Sequence, residues 1–290
     1  MENKIQVTDV CKHYGNTLAL DHVSVTLEQP CIYGLLGRNG AGKSTLLNLI
    51  SNRVYPDAGT VTIDGQDCRD NDQALGKLFL TSEKNLYPES MRVGDAIRWT
   101  ASFYSDFDQP YALSLAEAYE LPLKKKIKSL STGYGSIFKL VVALAANTPY
   151  LLLDEPVLGL DAGHRSLFYK EVLSLYGEKG CTVVLSTHII EEISDLLESV
   201  IILEDCRVLA SESVDGLLER YHCVSGAEGE VLGYLSGREV VHTERMGPYL
   251  SATVAGPADR EQADRLNLTL MRPKLQDLFI HLTQGKGGTL

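Results

Sequence analysis

Residues 37–45, Gly-Arg-Asn-Gly-Ala-Gly-Lys-Ser-Thr, set two glycines five positions apart and follow the second with a lysine and a hydroxyl. This G-x-x-x-x-G-K-S order suits the holding of a nucleotide's phosphates. The glycines let the backbone curl so that its N–H groups point inward, and a following helix offers its positive end to the anion. Lys43 has the length to reach the β- and γ-phosphates, and Ser44 offers a hydroxyl to Mg²⁺. Asn39, Gly40, Gly42, Lys43, Ser44 and Thr45 are therefore the candidate ATP contacts. A glycine-rich turn that merely joins two elements is the bland alternative. The pattern arises by chance in roughly 1% of chains of this length, given glycine's usual frequency of about 7%.

Two further places could complete such chemistry. Leu151-Leu152-Leu153-Asp154-Glu155-Pro156 ends an apolar run on paired acids. Asp154 would hold the metal, directly or through water, and Glu155 would polarise the water that attacks phosphorus. His188 follows a second apolar run that ends at Ser186-Thr187, a position suited to sensing the γ-phosphate. The other six histidines have no comparable setting.

These side chains need elements that bring them to one edge. Cys31–Leu36 is a short apolar run before the glycine loop, and Leu46, Leu47, Leu49 and Ile50 recur after it at helical spacing, giving strand, loop and helix. Near-continuous apolar runs at 150–153, 182–185 and 200–203 predict buried parallel strands. Helical stretches at 164–176 and 189–197 separate them, which indicates an α/β core. Ligands in such sheets gather at the carboxyl ends of strands. Ile5 and Val7, then Val23, Val25 and Leu27, alternate with polar neighbours and predict half-buried antiparallel strands in the first 65 residues. Residues 93–121 read as helical with a break at 105–110, and a second helix is expected over 136–145. Residues 204–207 read as a hairpin turn. Beyond about residue 221 the glycines cluster. Strand-like pieces at 230–234 and 249–254 and a helix at 274–282 predict a small accessory region, with Tyr234, Tyr249 and Phe279 in its core.

Composition narrows the class. The 290 residues carry 27 Lys+Arg against 38 Asp+Glu, a net charge of −11, which argues against nucleic-acid binding through a basic surface. No apolar stretch approaches the ~20 residues needed to cross a bilayer, and the first residues are polar, unlike a signal peptide. The six cysteines form no C-x-x-C pair, so neither a disulfide framework nor a zinc site is expected.

Between the glycine loop and the paired acids lies Leu130-Ser131-Thr132-Gly133-Tyr134-Gly135. Taken in order with the other motifs, it makes residues 4–220 resemble the nucleotide-binding subunit of an ATP-binding cassette (ABC) transporter. The resemblance implies that Tyr14 stacks on adenine, that 37–45 is the Walker A loop and that 130–134 is the signature. It also implies that 151–155 is Walker B, that Asp161 in Gly159-Leu160-Asp161 belongs to the D-loop and that His188 is the switch histidine. The implied fold is a RecA-like P-loop core with an antiparallel β-subdomain and a helical subdomain at about 88–146. Together these make an ATPase domain over 1–221, with 222–290 as a small C-terminal α/β appendage. The implied active unit is a head-to-tail dimer, a homodimer or a heterodimer with a related ATPase. In it Ser131, Thr132 and Gly133 face a nucleotide bound by the other subunit. ATP and Mg²⁺ are the implied ligands. The implied partner is a separate transmembrane permease subunit, which would hold the chain at the cytoplasmic face of the membrane.

Two departures from the family pattern stand out. Thr132 and Tyr134 replace the usual glycine and glutamine of the signature, and the Q-loop glutamine is missing, its place falling on Ser82 with Glu83 next. The stretches 130–140 and 154–161, with Leu275-Gln276-Asp277-Leu278-Phe279, look like the drug- and peptide-efflux branch. That branch includes bacitracin-resistance-type exporters and exporters of amphipathic toxins such as phenol-soluble modulins. A soluble cassette ATPase acting on DNA or ribosomes is the main alternative. It is disfavoured by the acidic balance, by a single cassette and by a separation of only 85 positions, without a heptad run, from Thr45 to Leu130. A P-loop kinase or GTPase is disfavoured by Glu155 and by the lack of an N-K-x-D motif.

Overall fold

The computed structural model describes residues 3–82, 84 and 86–284; Glu83, one of the two residues at the glutamine's place, lies outside them. Contacts divide the chain into two compact units, one of residues 1–188 with 203–209 and one of 189–202 with 210–290.

The first unit opens on an antiparallel sheet. β1 (Lys4–Tyr14) pairs with β2 (Thr17–Glu28), then come β4 (Ala58–Ile63) and β5 (Gln66–Asp67), in the order β2-β1-β4-β5. Its alternating pattern is satisfied residue by residue. Ile5 faces Leu27, Val7 faces Val25 and Val10 faces Val23, all six buried, while their neighbours face outward.

The wide sheet carries Gly37 and Asp154 at its strand ends. β3 (Ile32–Gly37), β6 (Leu78–Thr81), β7 (Tyr150–Asp154) and β8 (Thr182–Ser186) lie in the order β3-β8-β7-β6, each neighbouring pair parallel. β9 (Ser199–Glu204) and β10 (Arg207–Ser213), joined by the turn at Asp205–Cys206, extend it beyond β3, and their stretch 203–209 belongs to this unit. Every residue of β3 and of β8 is buried, which is why both read as unbroken apolar runs. Because β8 separates β3 from β7, the ends of strands distant in sequence stand together: Leu35 and Asp154 both register with Ser186.

Helices cover this frame. α1 (Lys43–Ile50) follows the glycine loop, and the short α2 (Asp72–Leu75) precedes β6. α3 (Val93–Thr100), α4 (Gln109–Ala118) and α5 (Thr132–Ala145) form the helical region, and α6 (Ala162–Lys179) leads to β8. α5 starts four residues earlier than its apolar pattern indicates, because Ser131 caps it by accepting the Tyr134 N–H at 3.3 Å. Tyr119, Phe138 and Phe168 are the large side chains buried here, 0–1% exposed.

The second unit holds α7 (Ile190–Ile193), α8 (Val214–Glu219) and an antiparallel sheet. Its strands are β11 (Tyr221–Ala227), β12 (Val240–Met246), β13 (Tyr249–Ala255) and β14 (Thr269–Met271), in the order β12-β13-β11-β14. α9 (Glu228–Leu235), α10 (Arg260–Arg265) and α11 (Leu275–Thr283) complete it. Two expectations fail here. Residues 230–234 are helix rather than strand: Val231, Tyr234 and Leu235, at helical spacing, are buried with Val224 and Val254 in one cluster. Tyr249 opens β13 and is 59% exposed, outside the core. Tyr234 is buried as expected and Phe279 is half-buried.

Candidate active site

The site begins at Gly37, where β3 ends. A Cβ there would lie 2.7 Å from the Leu203 carbonyl oxygen, and one on Gly42 would lie 2.6 Å from that of Ala19. Gly40 and Gly42 take φ of 87° and 104°, the left-handed region open to glycine. Glycine is thus required twice, for the turn and for its tight seat between strands. No side chain caps α1 and its first turn holds no acid, which leaves a positive helix end facing the loop. The shape is a cradle suited to phosphate.

Lys43 is 8% exposed, and its Nζ donates to the carbonyls of Gly37 (2.6 Å) and Arg38 (3.3 Å). Burial draws the ammonium below its ordinary pKa, while the carboxylates of Glu155 and Asp154 oppose that shift. The lysine is held along the loop by bonds that a phosphate oxygen can replace. Ser44 and Asn39 are exposed at the loop, and Thr45 is half-buried.

Asp154 ends β7, and one carboxylate oxygen accepts a bond from the Ser186 hydroxyl at 2.9 Å. That contact orients the carboxylate across the β7–β8 boundary. Ser44 and Asp154 are hard oxygen donors, the ligand type that Mg²⁺ takes. Glu155 follows at φ 48°, a strained value for a side chain with a Cβ, and its N–H donates to the Ser186 carbonyl at 2.8 Å. His188 Nδ1 lies 3.0 Å from Glu155 Oε2. Glu155 and His188, which the sequence separates by 33 positions, are therefore hydrogen-bonded partners.

The remaining expected residues sit around this centre. Tyr14 ends β1 and is 49% exposed, with the Lys12 ammonium 5.7 Å from its ring centroid. Asp161 caps α6, accepting the His164 N–H at 2.9 Å, and this bond keeps its carboxyl below the ordinary pKa. Ser131 and Thr132 are exposed at the start of α5. Gly133 packs on the turn after Glu155: a Cβ there would lie 2.8 Å from the Gly159 carbonyl oxygen. Ser82 follows β6 and is bonded by Arg53 and Lys139.

The sequence reading missed Ser186, Ser136, Arg53 and Lys139. Ser136 donates to the Leu158 carbonyl at 2.8 Å, binding α5 to the loop after Glu155. Only Ser186 carried a signal, its place at the end of an apolar run. Beside Ser82 lies a groove of about 330 Å³ lined by Leu86, Tyr87, Trp99, Phe103 and Tyr104 among others, with Phe103 and Leu86 67% and 63% exposed. Among the described residues, Cys11, Asp21 and His22 bring one ligand atom each within 4.8 Å of one another. Asp21 is ion-paired with Arg207 and His22 with Asp9, which accounts for both without a metal. All six cysteines are free, and no helix among the described residues is long and apolar enough to cross a membrane.

The chain is similar to known proteins in sequence and in fold. The family model for ABC transporters matches residues 20–158. The ABC transporter ATP-binding protein YtrB of Bacillus subtilis is 30% identical over 217 residues, covering 75% of this chain and 74% of its own. The Nod factor export ATP-binding protein I of Burkholderia lata is 30% identical over 296 residues, covering 96% of each. Among solved structures, a dimeric post-hydrolysis state of the ATP-binding cassette MJ0796 bound to ADP and phosphate is 25% identical. It superposes with a TM-score of 0.65 over 72% of this chain and 98% of that one.

Proposed function

Because the chain belongs to the ATP-binding proteins of ABC transporters and is an ABC-type ATPase, we propose that it is the engine of an exporter whose membrane-spanning subunit is a separate polypeptide. The observation that carries the ATPase chemistry is the meeting, at the ends of β3, β7 and β8, of the glycine loop, the Ser186-oriented Asp154 and the Glu155–His188 pair.

The residues divide the work. Backbone N–H groups of residues 39–45 and the Lys43 ammonium hold the phosphates, and Tyr14 offers its exposed ring to adenine. Ser44 and Asp154 would hold Mg²⁺, which when bound offsets charge on the β- and γ-phosphates. Glu155 accepts a hydrogen bond and then the proton from the attacking water, whose oxygen bonds to the γ-phosphorus as the bond to the ADP oxygen breaks. His188 lies beside Glu155, where an imidazolium can bond both the carboxylate and a γ-phosphate oxygen. Ser131, Thr132 and Gly133 stand ready at the start of α5 for a nucleotide on a second copy or a related ATPase, and Asp161 lies by the same turn. A site split in this way is complete only in the dimer. ATP favours the closed dimer through its higher affinity for it, and hydrolysis removes that preference.

The groove beside Ser82 supports a membrane-subunit partner. Exposed Trp99, Phe103 and Leu86 give it an apolar floor, and Arg53, Lys84 and Lys139 line it with cations. An amphipathic helix with acidic residues, reaching from the membrane subunit, has the complementary chemistry. That partnership would keep the ATPase at the cytoplasmic face of the membrane. For cargo, the resemblance of residues 130–140 and 154–161 to the efflux branch favours a drug or an amphipathic peptide. Co-purification with a candidate membrane subunit, followed by ATPase assays with candidate peptides, tests this reading. Stimulation by an amphipathic peptide supports it. Failure to bind any membrane protein, with capture of ribosomes or DNA instead, moves the chain to the soluble alternative.

A further inference from the structure

In the family pattern a glutamine reaches out from the loop after β6, but the Ser82 side chain has three fewer heavy atoms and is shorter. The structure holds Ser82 from two directions. Arg53, just past α1, donates from Nη1 to the Ser82 hydroxyl at 3.1 Å and from Nη2 to the Leu80 carbonyl at 2.9 Å. The Arg53 N–H in turn donates to the Asn48 carbonyl of α1, at 2.9 Å. Lys139, on α5, donates from Nζ to the Ser82 carbonyl at 3.0 Å.

The position of Lys139 on its helix gives the contact its meaning. Ser136 lies one turn earlier on α5 and binds the Leu158 carbonyl, in the loop after Glu155. Residues three apart share a helix face. One rigid helix, which begins at the signature, therefore grips both the loop beyond the paired acids and the backbone at Ser82. Arg53 joins the same point to the helix that opens at the phosphate cradle. Ser82, Arg53 and Lys139 also line the groove that holds Trp99.

We propose that Lys139 is a positioning residue that, with Arg53, fixes Ser82 between the phosphate-loop helix and the signature helix and so transmits nucleotide binding to the groove. Movement of α5 on nucleotide binding carries Ser82 with it through the ammonium–carbonyl bond. This rests on the ATPase assignment and needs no membrane partner, so it stands apart from the identity of the exporter's other subunit.

Trp99 is the sole tryptophan of the chain and lies in the groove, so its emission reports the groove directly. The test compares the full chain with Lys139→Met, which keeps length but loses the donor, and with Lys139→Arg, which keeps a cationic donor. Each is titrated with Mg·ATP while Trp99 emission, nucleotide affinity by equilibrium dialysis and melting temperature are followed. ATP should shift Trp99 emission in the unaltered protein and in Lys139→Arg. In Lys139→Met the shift should fall to less than one fifth, with ATP affinity within twofold and an unchanged melting temperature, and kcat should fall about tenfold with KM nearly constant. The proposal is overturned if Lys139→Met keeps the emission shift, if the unaltered protein shows none, or if emission, affinity and melting temperature fall together. Should the methionine variant not fold, Lys139→Gln is judged by the same criteria.

Discussion

His188 Nδ1 stands 3.0 Å from Glu155 Oε2, joining the strand exits of β8 and β7 through one hydrogen bond. With Nδ1 donating to the carboxylate, a neutral imidazole presents only a lone pair at Nε2, and a phosphate oxygen cannot donate to it. An imidazolium presents a second N–H there and can bridge carboxylate and phosphate. Under the proposed mechanism the pair would link the group that handles water to a group able to detect the phosphate being cleaved.

Glu155→Gln keeps the shape of the side chain and its capacity to bond His188 but loses the basic carboxylate. ATP affinity should stay within about threefold, while kcat falls by roughly 10²–10⁴, the range for loss of a general base. The variant should accumulate as a dimer with ATP and Mg²⁺ in size-exclusion chromatography coupled to light scattering. Normal turnover would remove Glu155 from its role.

His188→Ala should lower kcat about 10²-fold and leave ATP affinity nearly unchanged, because the phosphate cradle does not depend on it. His188→Gln, which can still donate to Glu155, should recover part of the loss. Steady-state kinetics of the two variants side by side decide this, and equal impairment of both would show that the donor to Glu155 is not the feature that matters.

Gly133 and Gly135 differ by one half-turn of α5 and make opposite predictions. A Cβ on Gly133 would press to 2.8 Å from the Gly159 carbonyl oxygen, whereas one on Gly135 would meet nothing within 4 Å. Gly135→Ala should raise stability by about 0.5–1 kcal/mol through helix propensity alone. Gly133→Ala should shift the turn that holds Gly159 and Asp161 and cut ATPase activity at least tenfold. Thermal melts and activity assays on both variants test the contrast.

Stability should depend on pH through the second unit. His222 is 6% exposed; its Nδ1 donates to the Gly256 carbonyl at 2.9 Å and its Nε2 accepts from the Tyr234 hydroxyl at 3.0 Å. Tyr234 oxygen in turn accepts the Asp259 N–H at 3.0 Å. Burial, opposed by the Gly256 bond and helped by the Arg238 charge, lowers the His222 pKa below 6.5. The unfolded chain therefore takes up a proton before the folded one. The stability is complete above about pH 6.5 and is lost as pH falls through the unfolded value toward the folded one. Melting temperatures between pH 7.5 and 5 should fall in that window for the native protein and less steeply for His222→Gln, which can keep both bonds without titrating.

Much of the site was legible because its signals are local. A G-x-x-x-x-G-K-S loop specifies its own backbone path, and apolar runs at 151–153 and 182–185 specify buried strands wherever they end up. The antiparallel pattern of β1 and β2 was readable for the same reason. α9 was not: Gly229 and Gly233 weaken the helical signal, and only the packing of Val231, Tyr234 and Leu235 on the sheet makes it a helix.

By itself the sequence determined which residues could bind phosphate, hold a cation and polarise water. The strand order β3-β8-β7 alone put them together, since it seats Ser186 between the phosphate loop and Asp154 and brings His188 to Glu155. The junction of Arg53, Ser82 and Lys139 left no trace in the sequence. Its bonds run from an arginine and a lysine to backbone carbonyls and one hydroxyl, and a carbonyl exists at every position. Which carbonyl a lysine meets is a matter of where the helix carrying it is packed, and that was decided in three dimensions.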